Sequence, residues 1–178
     1  MSESDYLKDE LKALKLAIDN EKMIRSFYLK HAAKMRHELA KKTFIFLADE
    51  ELKHIDAINA FSKSIHDGEE PMVGSGTEDE AVNEVKEFFS DTVKAMVEKA
   101  VASENDIKAY EAGLELELKG YNFYKQTANK AEHPNVKKLF EFLAKEENSH
   151  YALISNAISY FKNPEEYFQN KESWFFEG

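Results

Sequence analysis

The chain has 178 residues, of which 33% are charged and 43% hydrophobic, and its formal net charge is −10. This length suits one domain with enough residues to bury a core. The absence of cysteine excludes disulfides, thiolate catalysis and cysteine-held iron–sulfur clusters. The acidic balance argues against nucleic acid as a partner. No stretch approaches the roughly 20 apolar residues of a membrane span, and the N-terminus lacks the pattern of a secretion signal, so we expect a cytoplasmic protein with no membrane partner.

The predicted elements are all helical, because Gly and Pro are rare while Glu, Lys, Ala and Leu are abundant. Hydrophobic periodicity and breaker residues predict five helices. The first begins at Ser2 or Ser4 and runs to about residue 37. The approximate ranges of the others, in chain order, are 39–65, 78–101, 103–132 and 134–161. Ser103 and Asp106 have capping-box spacing at the start of the fourth helix, and Asn163-Pro164 ends the fifth. An aromatic-rich tail follows over 163–178, which we expect to pack on the domain or on a second subunit.

An internal repeat relates the two halves of the chain. Residues 13–60 align without a gap with residues 109–156, and 17 of these 48 positions are identical. We therefore predict one domain, a pseudo-symmetric four-helix bundle built from two helical hairpins. The predicted segments are hairpin one over about 3–66, a crossover loop and helix over about 67–102, hairpin two over about 103–162, and the tail.

Acidic residues and histidines lie in the apolar seams of this bundle. Glu51 and His54 fall among core-facing positions of the second helix, and the repeat places Glu147 and His150 equivalently. Residues three apart on a helix are neighbours, so each Glu-x-x-His pair can reach one ion. Glu21 precedes the turn at His37 by 16 residues, and Glu117 precedes the turn at His133 by the same number. Each Glu-x-x-His pair follows its turn by 14 to 17 residues, so the helix segments on both sides of a turn are about 24 Å long. All of these side chains are predicted to meet at mid-bundle.

Charge determines what this meeting point can hold. Four buried carboxylates cannot stay ionised without partners, and no Lys or Arg occupies the seam positions. Two divalent cations would balance four carboxylates and leave two neutral imidazoles as nitrogen donors. An oxygen-rich set of this kind favours iron or manganese over zinc or copper. The predicted metal ligands are Glu21, Glu51, His54, Glu117, Glu147 and His150.

The duplicated Glu…Glu-x-x-His pattern resembles the ferritin-like superfamily, and within it the di-iron domain of rubrerythrin-like proteins, over about residues 8–162. This resemblance implies a ferritin-like bundle whose two iron ions, or manganese, react with peroxide or dioxygen, with Glu51 and Glu147 bridging them. The cysteine-ligated iron domain typical of rubrerythrins has no counterpart here, so we expect a separate electron-donor protein. Gly120 stands where rubrerythrins often carry a further Glu, and Leu52 stands where bacterioferritins carry their haem Met. We expect a homodimer.

Two further repeated pairs lie near the predicted ligands. Tyr28 and Tyr124 each stand two turns from the glutamate of their own helix, on the same face. Each either fills the core with a satisfied hydroxyl or donates a hydrogen bond to a ligand carboxylate. Glu50 and Glu146 point about 100° away from the ligand face, so we expect them to be solvated or to lie behind the ligands.

Three functions are compatible with these residues. The favoured one is an oxidoreductase that reduces hydrogen peroxide, or reacts with dioxygen, with oxidation of ferrous iron. The alternative is iron binding, storage or detoxification with ferroxidase activity only. A third is a metal-free bundle that serves protein interaction.

Overall fold

A computed structural model describes residues 3–67, 69–71, 73, 78–95 and 102–164. These residues form five helices and no strand, which confirms the all-α prediction. The helices are α1 (Glu3–Ala32), α2 (Glu38–Asp67), α3 (Glu78–Ala95), α4 (Glu104–Lys130) and α5 (Pro134–Lys162). None of these helices is both long enough and apolar enough to cross a membrane.

The architecture is a pair of antiparallel hairpins, α1–α2 and α4–α5, with α1 facing α4 and α2 facing α5. The crossover helix α3 packs on α5 and α2. Phe88 of α3 stacks on Phe46 of α2 with ring centroids 4.2 Å apart, and Phe89 meets Tyr160 of α5 at 6.1 Å. The four long helices therefore form the predicted bundle, and α3 lies against one side of it.

The core consists of two apolar clusters that are related by the repeat. Tyr28 and Phe44 lie in one cluster, and their repeat counterparts Tyr124 and Phe140 lie in the other. Along each helix, the predicted ligands fall between the residues of one cluster and those of the other. The buried polar side chains are thus enclosed by apolar layers above and below.

The turns between paired helices are built on histidines. His37 directly precedes α2, and its Nδ1 accepts a hydrogen bond from the Ala40 N–H at 3.5 Å. His133 is the N-cap of α5 and accepts from the Asn135 N–H at 3.3 Å. A residue that caps a helix has a non-helical backbone, so α1 cannot continue to His37 as predicted. It ends five residues earlier, at Ala32.

Helix α4 begins as the sequence predicts. The Ser103 hydroxyl accepts from the Asp106 N–H at 3.1 Å, and the Asp106 carboxylate accepts from the Ser103 N–H at 3.1 Å. This reciprocal pair satisfies two backbone donors that the helix itself cannot. The start of α1 at Ser2, the predicted end of the crossover helix and the tail beyond residue 164 lie outside the described residues.

Candidate metal centre

The structure brings the six predicted ligands together at one level of the bundle. Helices α1 and α4 each contribute one glutamate, and helices α2 and α5 each contribute a glutamate and a histidine one turn apart. All six side chains are between 0% and 3% exposed. Their potential ligand atoms form two groups, each with atoms within 4.8 Å of one another. The first group is Glu21, Glu51, His54 and Glu147, and the second is Glu51, Glu117, Glu147 and His150.

Two glutamates belong to both groups, so the arrangement has places for two ions that share ligands. Glu51 and Glu147 occupy the shared positions. Glu21 belongs only to the first group, and Glu117 only to the second. This division follows the repeat, in which each hairpin contributes one shared and one unshared carboxylate.

The histidine rings lie against the carboxylates with one nitrogen directed at them. His54 Nδ1 lies 3.2 Å from Glu51 Oε2 and 3.7 Å from an oxygen of Glu147. His150 Nδ1 lies 3.5 Å from Glu51 Oε1 and 3.7 Å from Glu117 Oε2. The two rings are stacked, with centroids 5.3 Å apart. Both Nδ1 atoms are therefore placed to coordinate an ion beside the carboxylates.

Tyrosines hold the unshared glutamates from the opposite hairpin. The Tyr28 hydroxyl on α1 donates to Glu117 Oε1 on α4, and the Tyr124 hydroxyl on α4 donates to Glu21 Oε1 on α1. The sequence predicted tyrosines close to the ligands but did not determine which carboxylate each would meet. Helices α1 and α4 run antiparallel, so each tyrosine reaches the glutamate of the facing helix.

Many ligand atoms of the cluster lack a hydrogen-bond partner. Seven atoms of the six predicted ligands are fully buried with no hydrogen-bond partner: Glu21 Oε2, Glu51 Oε1, His54 Nε2, Glu117 Oε2, both Glu147 carboxylate oxygens and His150 Nδ1. Buried polar atoms without partners are rare and costly in folded proteins. Their concentration at one point fits a bound cation, because metal coordination would satisfy several of them at once.

Burial and mutual repulsion set the ionisation of the carboxyl groups. Burial, reinforced by the charge of Glu21, raises the pKa of Glu51 to about 8. Burial and the charge of Glu117 raise the pKa of Glu147 well above its usual value. At Glu21 burial is outweighed by hydrogen bonds with Glu51 and His54, and its pKa is lowered to about 2. Without a cation, the shared carboxyls therefore hold a proton more readily than the unshared ones, whose pKa values are lowered.

The histidines also hold their protons more strongly without a cation. Burial acts to lower the pKa of His54, but contacts with Glu21 and Glu51 outweigh it and raise the pKa to about 10. The pKa of His150 is raised well above its usual value in the same way, by Glu117 and Glu51. Protons thus neutralise the cluster when no metal does, and a divalent cation would have to displace them.

The pair Glu50 and Glu146 is less symmetric than the repeat predicts. Glu50 is buried, with 6% exposed, and its carboxylate lies 2.7 Å from Lys53 Nζ. Lys53 also contacts Glu84 of α3 at 3.1 Å. Glu146 is only partly buried, and one of its oxygens lies within 4.8 Å of a ring nitrogen of each ligand histidine. Of the two alternatives predicted for Glu50, solvation does not hold, because the residue is buried and its carboxylate is paired with Lys53.

Two glycines of α4 make room for the cluster. A Cβ at Gly120 would lie 2.9 Å from Glu147 Oε2, and a Cβ at Gly113 would lie 3.3 Å from Tyr28 Cε1. The repeat counterpart of Gly120 is Ile24. The backbone of α4 at Gly120 therefore lies closer to Glu147 than a residue with a side chain would allow, whereas Ile24 occupies the equivalent position in the first hairpin. The sequence marks Gly120 only as a departure from a family pattern, and the contact explains it.

These features define a helical bundle whose buried carboxylates and imidazoles could hold metal. The rubrerythrin family model matches residues 12–158 of the chain, and a second match spans 110–177. The chain belongs to the rubrerythrin family. No curated protein and no solved structure matches the chain significantly. Membership in this family indicates a di-iron carboxylate protein.

Proposed function

We propose that the chain is a non-haem di-iron protein that reduces hydrogen peroxide, with oxidation of ferrous iron. The observation that carries this proposal is the set of six buried side chains whose ligand atoms form two groups with shared members. Two divalent ions would balance the four carboxylates, and the two imidazoles would supply nitrogen ligands. The four-glutamate, two-histidine composition suits iron or manganese better than zinc or copper.

The way in which each glutamate would bind metal follows from which of its carboxylate oxygens have no hydrogen-bond partner. Tyr28 and Tyr124 each bind one oxygen of an unshared glutamate, and the second oxygen, Oε2 of Glu117 and of Glu21, has no partner. These two glutamates would therefore each offer one oxygen to one ion. Both oxygens of Glu147 are without partners, as suits a carboxylate that two ions share. Glu51 takes the equivalent shared place.

The chain's own residues would also control access and orientation. The centre is enclosed by apolar side chains, with Leu47 and Phe44 on one hairpin and Leu143 and Phe140 on the other, all 0% exposed. This environment excludes bulk water and strengthens electrostatic interactions inside it. Two ferrous ions bound there would supply the two electrons that cleavage of the O–O bond requires. The tyrosine hydroxyls lie within the cluster and fix the carboxylates during turnover.

Reducing equivalents would have to come from elsewhere. The chain contains no cysteine, so it holds no cysteine-ligated iron that could return electrons to the centre. We therefore propose that a separate electron-donor protein re-reduces the iron after each turnover. We also propose that the protein is cytoplasmic and dimeric, with about two metal ions per chain.

The test begins with metal content. Protein purified without added metal is analysed for its elements, and the Glu51→Ala and Glu147→Ala variants are expected to lose most of the bound metal. Glu141→Ala is the matched control, because Glu141 lies on α5 with its side chain 51% exposed. Full metal content in both ligand variants would refute the ligand assignment.

Stopped-flow mixing then distinguishes the activities. The protein is loaded with ferrous iron without oxygen and mixed with peroxide or with dioxygen. We expect faster oxidation by peroxide. A dioxygen rate equal to or above the peroxide rate, together with a large hollow assembly that fills with iron, would favour storage with ferroxidase activity instead.

A further inference from the structure

A glutamate beside the buried centre, Glu146, is partly exposed to solvent. All six proposed ligands are at most 3% exposed, so an ion cannot reach them directly from solvent. Glu146 is partly exposed, and it forms a third potential metal group with His54 and His150. One atom from each of these three residues lies within 4.8 Å of the other two.

The repeat shows that this arrangement is specific to one side of the bundle. The counterpart of Glu146 is Glu50, whose carboxylate is held by Lys53 at 2.7 Å. The counterpart of Lys53 is Ser149, and its hydroxyl donates to the Glu146 backbone carbonyl at 2.8 Å. Within the described part of the chain, no lysine or arginine forms a salt bridge with Glu146, whose carboxylate instead lies beside the rings of His54 and His150. The glutamate at this position is therefore neutralised by a lysine in the first hairpin and has no lysine beside it in the second.

His54 has a second ring nitrogen that forms no hydrogen bond. Both Nδ1 atoms are directed at the carboxylates of the centre, between 3.2 and 3.7 Å away. His54 is 3% exposed, and its Nε2 is buried without a hydrogen-bond partner. One nitrogen of each ring lies within 4.8 Å of a Glu146 oxygen, and a carboxylate beside two imidazoles can bind a divalent cation once the rings release their protons.

We propose that Glu146, with His54 and His150, forms an outer metal position through which divalent ions enter the buried centre. The proposal depends on the function proposed above, because it assumes that the inner groups bind metal. One carboxylate and two imidazoles hold a divalent ion more weakly than the inner groups, which have three carboxylates each. Since both histidines belong also to the inner groups, an ion at the outer position already touches the ligands that receive it.

The test measures the rate and the extent of uptake separately. Metal-free protein is mixed anaerobically with Co²⁺, a divalent ion that absorbs visible light when coordinated. Its binding is followed by stopped-flow absorbance and then by elemental analysis. In Glu146→Gln we expect uptake to be slower by about tenfold or more, because the attracting charge is lost. The final two ions per chain and their spectrum should be unchanged.

Two further variants serve as controls. Glu50→Gln removes the equivalent carboxylate in the other hairpin and should leave the uptake rate unchanged, because Lys53 already neutralises it. Glu146→Asp retains the charge on a shorter side chain, so its rate should fall between those of wild type and Glu146→Gln. It also keeps the test valid if the glutamine variant does not fold.

Several results would overturn the proposal that ions enter through Glu146. An unchanged rate in Glu146→Gln, or an equal slowing in Glu50→Gln, would overturn the proposal. So would a lower final metal content or an altered spectrum, since Glu146 would then support the inner ligands and not entry. A wild-type protein that binds no Co²⁺ would instead overturn the proposed function itself.

Discussion

Substitution of Gly120 by alanine separates helix stability from metal binding. The new Cβ would lie 2.9 Å from Glu147 Oε2, and ordinary contact begins near 3.4 Å, so the carboxylate must move by about 0.5 Å. Metal–ligand distances tolerate changes of only about 0.2 Å. The same substitution removes a glycine from the interior of α4, which stabilises a helix by about 1 kcal/mol. We therefore expect Gly120→Ala to weaken metal binding without destabilising the metal-free protein.

Gly113→Ala is the matched control on the same helix. Its Cβ would meet Tyr28 Cε1 at 3.3 Å and Ile154 Cδ1 at 3.5 Å, so the edge of the Tyr28 ring must give slightly, but no ligand carboxylate is among the nearest atoms. Both variants should gain helix stability, and a gain of about 1 kcal/mol raises the Tm by about 2–4 °C for a chain of this size. Only Gly120→Ala should lose metal affinity, by about 10–100-fold, the range measured when the support of a ligand is disturbed.

The assay combines thermal melting of the metal-free variants with competitive titration of Co²⁺ against a chelator. Binding of two ions by Gly120→Ala with wild-type affinity and an unchanged visible spectrum would refute the proposed effect of the new Cβ. An equal loss of affinity in Gly113→Ala would refute it too, because the effect would then come from the helix and not from the contact with Glu147.

Three further predictions concern pH, the tyrosines and a helix cap. Glu51 and His54 have pKa values of about 8 and 10 without metal, so at pH 7 both must release a proton when an ion binds. The metal affinity should therefore rise by up to about 100-fold per pH unit for the ion they hold. A pH-indicator dye measures the protons released. Tyr28→Phe should weaken metal binding by about 10–100-fold, because Glu117 Oε1 loses its donor; chelator competition measures this change. Ser103→Ala should lower the Tm by about 2–4 °C, through a cost of about 1 kcal/mol, with metal content unchanged.

A different result would contradict each of these three predictions. Metal affinity that is independent of pH between 6 and 8 would mean that the centre holds no protons to displace. The control for Tyr28→Phe is Tyr110→Phe, because the Tyr110 hydroxyl donates to the Ala40 carbonyl at 3.2 Å, away from the ligands. An equal loss of metal affinity in both variants would contradict a specific role of Tyr28. Metal loss in Ser103→Ala would show that the helix start and the centre are coupled.

The fold and the level of the ligands could be predicted because both follow from periodicity. Apolar spacing gives the helices, the repeat gives the two hairpins, and equal arm lengths place Glu21 beside Glu51. The end of α1 could not be predicted, because helix continuation through His37 has no obvious breaker, while the histidine acts as a cap. The sequence contains the proline that marks the equivalent turn before α5, and that boundary was predicted correctly.

The surroundings of the centre depend on contacts between segments that are distant in sequence. Glu50 and Glu146 differ locally in the residue three positions on, Lys53 against Ser149, and the contact of Lys53 with Glu84 on the crossover helix appears only in the folded chain. The place of Gly120 likewise becomes clear only when α5 brings Glu147 against it. Repeat symmetry predicts equivalent positions, and tertiary packing then makes them inequivalent.

The exchange of tyrosines between the halves has a consequence for how such a centre can arise. Neither hairpin holds its own unshared glutamate, since Tyr28 serves Glu117 and Tyr124 serves Glu21. A single hairpin is thus an incomplete unit, but two identical copies facing each other would complete one another. The internal duplication joins such a pair in one polypeptide, and each half is then free to diverge around a centre that needs both.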